Sequence, residues 1–189
     1  MCANAYILAG GHSSRFGSDK AHALLHGIPL ISHLANILRS RGHEVVVVGR
    51  DSKQYENLNL MTIPDIEPDL GPIGGLETAL DHRLRTSGTG WALLLSCDLL
   101  NPTALMLNAL DASRKESPQA EAIAFGDDRW QPFPGLYHTR LREQIYNDPP
   151  RSMQQLLTCA QTVAIKAPQR IHQANTPADL RAYEESTRV

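Results

Sequence analysis

Apolar residues fall into two alternating rhythms along the chain. Short unbroken runs occur at Tyr6-Ile7-Leu8, at Val45 to Val48 within Glu44–Gly49, at Leu60-Met61-Thr62-Ile63 and from Trp91 to Cys97. Their length and branched side chains suit strands buried on both faces. Between them, Pro29 to Arg41 repeats Leu30, Leu34, Ile37 and Leu38 at helical spacing, with Pro29 fit for a first turn and Gly42 for a stop. Ile73 to Arg85 reads as a second helix, and Pro64 to Gly75, punctuated by proline and glycine, as the loop before it. Strands alternating with helices predict a parallel α/β sheet with right-handed crossovers. In such sheets ligands gather beyond the carboxyl ends of the strands, so Lys20, Asp65 and Asp98 are expected on one side.

The second half is less regular. Helices are expected at Pro102–Lys115, His138–Asn147, Ser152–Cys159 and Pro177–Glu185, the last with Thr176 as its cap. Strands are expected at Ala120–Phe125, Trp130–Tyr137 and Thr162–Lys166, and Asp148-Pro149-Pro150 separates two of the helices. Without repeats, low-complexity tracts or linkers, residues 1–189 are expected to form one domain.

Composition narrows the function classes. A 42% hydrophobic content with 20% charged residues is that of an ordinary globular protein. A net charge of −2 gives no footprint for nucleic acid or an anionic membrane. No apolar run approaches the ~18 residues of a membrane span, and no signal segment is recognisable. Cys2, Cys97 and Cys159 are widely spaced, which fits reduced thiols in a cytoplasmic protein and argues against zinc. The eight histidines, among them His12, His22, His33 and His138, show no ligand spacing and are expected at the surface.

The stretch that carries chemistry is Ala5 to Lys20. The run Tyr6-Ile7-Leu8 breaks at Gly10-Gly11, where free backbone N–H groups can meet phosphate oxygens, and Arg15 and Lys20 add positive charge. Lys20 lies between Asp19 and Ala21, which excludes the Walker pattern, and the glycine spacing excludes the dinucleotide fingerprint. The residues alone allow either a nucleotide-phosphate grip or an ordinary βα turn with surface charges. Asp98, closing an apolar strand, suits either a Mg²⁺ ligand or a turn cap. Asp65 suits a nucleotide contact or a solvated loop.

Taken together, Leu8-Ala9-Gly10-Gly11, Ser13, Arg15, Gly17, Asp19 and Lys20 resemble the signature L-A-G-G-x-S-x-R-M-G-x-D-K of nucleotidyltransferases, particularly the molybdenum cofactor guanylyltransferases. Phe16 stands where methionine is usual. The resemblance implies a three-layer, Rossmann-like nucleotidyltransferase fold with a mostly parallel central sheet. It also implies a nucleotide-binding N-terminal half, an acceptor-binding C-terminal half, and Mg²⁺-dependent transfer of GMP from GTP to the phosphate of molybdopterin with release of pyrophosphate.

By the same resemblance, Lys20 and Arg15 hold the triphosphate, Leu8, Ala9, Gly10 and Gly11 the nucleotide, and Asp98 the metal. Ser96-Cys97-Asp98 is similar to the family's P-C-D but lacks the proline. Asp65, with Gly71 and Gly75 in the segment like the family's G-P-L-A-G, would meet the base. Asn175, in Asn175-Thr176-Pro177, would lie on the acceptor side, although N-T-P also simply starts a helix. Gln131 to Gly135 is a weaker acceptor-side match, and Arg151-Ser152 suits an acceptor-phosphate contact or an exposed helix start. An asparagine usual after the second strand has no counterpart in Val47-Val48-Gly49-Arg50, which leaves GTP against CTP open. The alternatives are therefore a cytidylyltransferase, another phosphorylated acceptor, or a non-catalytic nucleotide-binding accessory protein. Transient contacts with cofactor-insertion proteins or molybdoenzyme chaperones would follow from the same family.

Overall fold

Runs such as Val45 to Val48 can be buried only if both faces of their strand are covered, and that requirement organises the whole molecule. The computed structural model describes residues 4–10 and 19–187. Its first half comprises β1 (Asn4–Leu8), β2 (Leu24–Leu25), β3 (Ile28–Pro29), α1 (Leu30–Ser40), β4 (Val45–Gly49), β5 (Met61–Pro64), α2 (Pro72–Ser87) and β6 (Trp91–Ser96). The second half comprises α3 (Ala104–Glu116), β7 (Ala122–Gly126), β8 (Trp130–His138), α4 (Leu141–Asn147), α5 (Met153–Cys159), β9 (Thr162–Ile165) and α6 (Pro177–Thr187). Seven strands form one sheet in the order β5-β4-β1-β6-β8-β7-β9. All run the same way except β8, which is antiparallel to β6 and β7.

Alternation of side chains along the strands divides the core into two layers. Ile7, Val45, Val47 and Leu95 face α1 and α3, meeting Leu34, Leu38, Met106 and Leu110. Tyr6, Val46, Val48 and Leu94 face α2, α4 and α5, meeting Leu76, Leu80, Ile145 and Leu156. Full burial of each such side chain contributes about 1.5–3 kcal/mol. The result is a three-layer α/β protein with a mostly parallel sheet, as the sequence pattern predicts.

Local differences from the expected elements have physical reasons. The β2–β3 hairpin was not anticipated; its turn, His26-Gly27, takes positive φ at both positions (49° and 78°), the requirement of a two-residue I′ turn. Histidine at the first of these positions is a weak turn signal. Helix α2 begins at Pro72, directly after Gly71 with φ 57°. A Cβ on Gly74 would lie 1.9 Å from the Glu67 carbonyl oxygen, so only glycine lets the preceding loop cross the first turn of α2. Thr176 caps α6 as expected, and Asp179 reciprocates: its N–H donates to Thr176 Oγ1 at 3.2 Å, while its Oδ2 accepts the Thr176 N–H at 2.7 Å.

One expectation is overturned. His138 is buried, packed edge-on against Trp91 with ring centroids 5.1 Å apart. The sequence pattern predicts a surface histidine starting a helix here, yet His138 is the last residue of β8, and α4 begins only at Leu141.

Candidate active site

Because β8 opposes its neighbours, its first residues lie at the same sheet edge as the carboxyl ends of β1, β4 and β6. A cleft of about 920 Å³ opens along that edge. Leu8 and Gly10 enter it from the end of β1, Asp65 from beyond β5, Gly71 and Gly75 from the start of α2, Ser96 from the last position of β6 and Asp98 from just beyond it, and Asn175 from before α6. Lys20 reaches it from the short helical turn Lys20–His22. Gly11 and Arg15 lie outside the described residues. Ala9 does not line the cleft: its side chain joins the core and its N–H donates to the Val48 carbonyl at 2.9 Å.

At the centre, Lys20 Nζ lies 3.1 Å from Asp98 Oδ2, with the side chains only 12% and 21% exposed. The Ser96 hydroxyl donates to the other oxygen of Asp98. The Asp98 backbone is also held, its carbonyl accepting the Ala174 N–H at 2.9 Å while Leu99 pairs with Gln173. These links bring Asn175, remote in sequence, to the same cleft. Cys97 lines the cleft as well, but burial, helped by the Asp98 carboxylate, pushes its thiol up to about 12. It is protonated at neutral pH and offers no thiolate nucleophile.

Lys20 is held in place from behind. Asp19 accepts the Ala21 N–H through Oδ1 at 3.0 Å, and through Oδ2 the Tyr55 hydroxyl at 2.9 Å and the Gln54 amide at 3.0 Å. Burial opposes its charge, but these three donors together keep its carboxyl below the ordinary range. Tyr55 is fully buried, and burial and the Asp19 contact push its hydroxyl upward. Sequence reasoning assigned no role to Gln54 or Tyr55; a tyrosine within the polar stretch Asp51 to Asn59 was their only signal.

Asp65 is oriented just as firmly. Its Oδ1 accepts the Thr78 hydroxyl and the Glu67 N–H, both at 3.1 Å, while Thr78 Oγ1 accepts the Ile66 N–H at 3.0 Å. The other oxygen faces Gly10, 3.8 Å from where a Cβ would stand. The N-terminal turn of α2 lies alongside and adds the positive end of a helix dipole. Gly75 lets α2 approach β1, since a Cβ there would meet Leu8 Cδ2 at 3.0 Å.

Arg151-Ser152 resolves as a helix start: Ser152 Oγ accepts the Gln155 N–H at 3.2 Å, and neither residue lines the cleft. Gln131, Pro132 and Phe133 do line it, alongside Arg129 and Trp130, which sequence reasoning missed. Among the described residues no group of three or more His, Cys, Asp or Glu is gathered as a metal cage, and no helix is long and apolar enough to cross a membrane.

A mostly parallel sheet with a glycine-lined cleft and a central Lys–Asp pair beyond its strand ends defines an α/β protein of the class whose ligands gather at the carboxyl ends of the strands. Residues 5–165 match the family model of the MobA-like NTP transferase domain. The chain belongs to that family and is a nucleotidyltransferase. It is 35% identical over 185 residues to the "Probable molybdenum cofactor guanylyltransferase" of Trichormus variabilis, covering 93% of this chain and 87% of the relative. The fold is shared with molybdopterin-guanine dinucleotide biosynthesis protein A from Archaeoglobus fulgidus (TM-score 0.78, 23% identity, 97% of each chain covered). It is shared also with CMP:2-keto-3-deoxy-manno-octonic acid synthetase, solved with CTP (TM-score 0.71, 16% identity, 97% of each chain covered).

Proposed function

We propose that this protein transfers GMP from GTP to the terminal phosphate of molybdopterin, forming the guanine dinucleotide and releasing pyrophosphate. The observation that carries the reading is the Lys20–Asp98 pair at mid-cleft, with a glycine-rich wall on one side and an aromatic wall on the other. The relatives' printed names supply guanine and molybdopterin. Residues 1–189 act as one domain in this reading, in the cytoplasm.

An oxygen of the acceptor phosphate attacks the α-phosphorus in line. The new P–O bond forms as the bond to the β-phosphate's bridging oxygen breaks, and the electron pair leaves with pyrophosphate. The acceptor is already an anion, so no protein nucleophile is needed. Catalysis rests on positioning and on charge stabilisation. Lys20 moves from Asp98 to the phosphates; Gly10 presents its backbone N–H and the first turn of α2 its positive dipole end. Gly71 and Gly75, whose N–H groups are given to the Pro68 and Gly71 carbonyls, line the nucleotide side without side chains. Asp65 accepts hydrogen bonds from guanine N1–H and N2–H₂. Arg15 and Gly11 complete the phosphate grip, as the family signature implies. Asn175 lies on the acceptor side.

Asp98 is the protein's ligand for Mg²⁺. Its carboxylate, a hard oxygen donor lining the cleft beside Lys20, has the chemistry that would hold such an ion. When bound, the ion neutralises charge on the triphosphate.

Two measurements test this. Titration with GTP, CTP, ATP and UTP, each with and without Mg²⁺, should find magnesium-dependent binding of GTP; preference for CTP would move the protein to the cytidylyl relatives. Lys20→Ala should cut pyrophosphate release at least a hundredfold, of the order seen on removing one charge-stabilising donor, with an unchanged melting curve. Turnover near wild type would refute the role of Lys20.

A further inference from the structure

The strand order puts β4 and β5 on one side of the Lys20–Asp98 pair and β8 on the other. The base side, with Asp65, Gly71 and Gly75, therefore ends at mid-cleft, and a second wall begins at Arg129 and Trp130. The cleft, about 920 Å³, runs continuously from the base side to this second wall.

Trp130 lines the cleft and is held at its backbone, its indole N–H and its six-membered ring. Gln154 on α5 clamps its backbone, donating to the Trp130 carbonyl at 2.8 Å and accepting its N–H at 3.2 Å. The indole N–H donates to Thr158 Oγ1 at 3.3 Å. The ring lies on Gly126, where a Cβ would meet Cε3 at 2.8 Å, so only glycine leaves room for it. Below it, the buried Tyr137 hydroxyl donates to the Pro132 carbonyl at 2.8 Å and holds the next part of the wall. A tryptophan on a groove wall with its polar atom already satisfied has a ring face to offer and no hydrogen bond. Arg129 beside it is the cation of this wall, and Gln131 adds an amide.

We propose that Trp130 is the stacking platform for the flat pyrimidinone end of the acceptor's pterin, and that Arg129 steers its anionic group. This rests on the guanylyl-transfer reading and deepens it: the acceptor is selected by ring stacking on β8, opposite the base side. Phosphorylated acceptors without a flat π-system, such as ribose 5-phosphate, gain no ring stacking on this wall and should bind more weakly.

The probes are 6-hydroxymethylpterin and its monophosphate, titrated in the presence of magnesium and a non-hydrolysable α,β-methylene GTP that keeps the base side occupied. Trp91, the second tryptophan, is replaced (Trp91→Phe) to leave Trp130 as sole reporter. Both pterins should quench its fluorescence saturably, and ribose 5-phosphate should not. By calorimetry, Trp130→Leu should bind both pterins at least about tenfold more weakly, the scale of base-on-aromatic stacking, and Trp130→Phe should recover part of the loss. Arg129→Gln should weaken only the phosphorylated pterin, and less so as salt is raised.

Magnesium-dependent binding of the GTP analogue separates this inference from the reading beneath it. If all variants bind the analogue like wild type while Trp130→Leu binds pterin undiminished, or if wild type binds no pterin, the platform is overturned and guanylyl transfer stands. If wild type does not bind the analogue, both fall. Melting curves for Trp130→Leu and Trp130→Phe keep loss of fold apart from loss of platform.

Discussion

Thr78 touches no substrate in this reading, yet its hydroxyl fixes the carboxylate assigned to guanine. It is buried on α2, donates to Asp65 Oδ1 at 3.1 Å and accepts from the Ile66 N–H at 3.0 Å. Thr78→Val keeps the shape and deletes both bonds. Each hydrogen bond is worth about 0.5–1.5 kcal/mol net, so the variant should lose about 1–3 kcal/mol of stability. For a chain of this length that is roughly 2–12 °C in Tm. Among the described residues Asp65 Oδ1 then keeps only the Glu67 N–H, and the side chain must be ordered again on binding. Immobilising such a side chain costs about 0.5–1.5 kcal/mol, or roughly two- to tenfold in Kd.

Calorimetric titration with Mg-GTP should show that weakening for Thr78→Val. Binding of magnesium tripolyphosphate, which has no base, should stay at the wild-type value. Thr78→Ser, which keeps the hydroxyl, should melt lower but bind GTP like wild type. A Thr78→Val protein with a lowered Tm and unchanged GTP affinity would refute the coupling. Equal weakening of GTP and tripolyphosphate would show general damage to the cleft instead.

Two further predictions concern the frame of the site. Tyr55→Phe removes the hydroxyl at 2.9 Å from Asp19 Oδ2, so the turn bearing Lys20 loosens; kcat should fall severalfold with a modest change in Tm, and an unchanged kcat would show that Lys20 is placed by other contacts. His138 makes stability pH-dependent. Burial, aided by Arg140, pulls its imidazole down to about 4, whereas an exposed histidine titrates near 6.5. The unfolded chain therefore takes up a proton in this window that the folded chain does not. Stability is full above about pH 6.5 and falls by up to about 3 kcal/mol as pH drops to 4. Urea unfolding of His138→Phe should lack that component, and an identical pH profile for both proteins would refute it.

The alternation of apolar runs and helical spacing decided the layered α/β architecture, because a strand such as Val45 to Val48 has no stable place except between two layers. The same pattern put Lys20, Asp65 and Asp98 beyond strand ends, and they share one cleft. Local signals were read correctly where the physics is local, as in the Thr176 cap of α6 and the Gly42 stop after α1. The hairpin turn at His26-Gly27 was lost because its residues carry a weak version of the turn signal.

What depends on distant partners was beyond reach. His138 is buried because it pairs across the sheet with Trp91, 47 positions earlier by number, which no periodicity encodes. Thr78 and Asp65, Tyr55 and Asp19, and Gln154 and Trp130 are hydrogen-bonded pairs made by packing helices and loops onto the sheet. Reversal of β8 is a choice of topology, and it alone brings Trp130 to the edge where β1 and β6 end. Side-chain chemistry and period are written residue by residue; which donor meets which acceptor is settled only when the layers close.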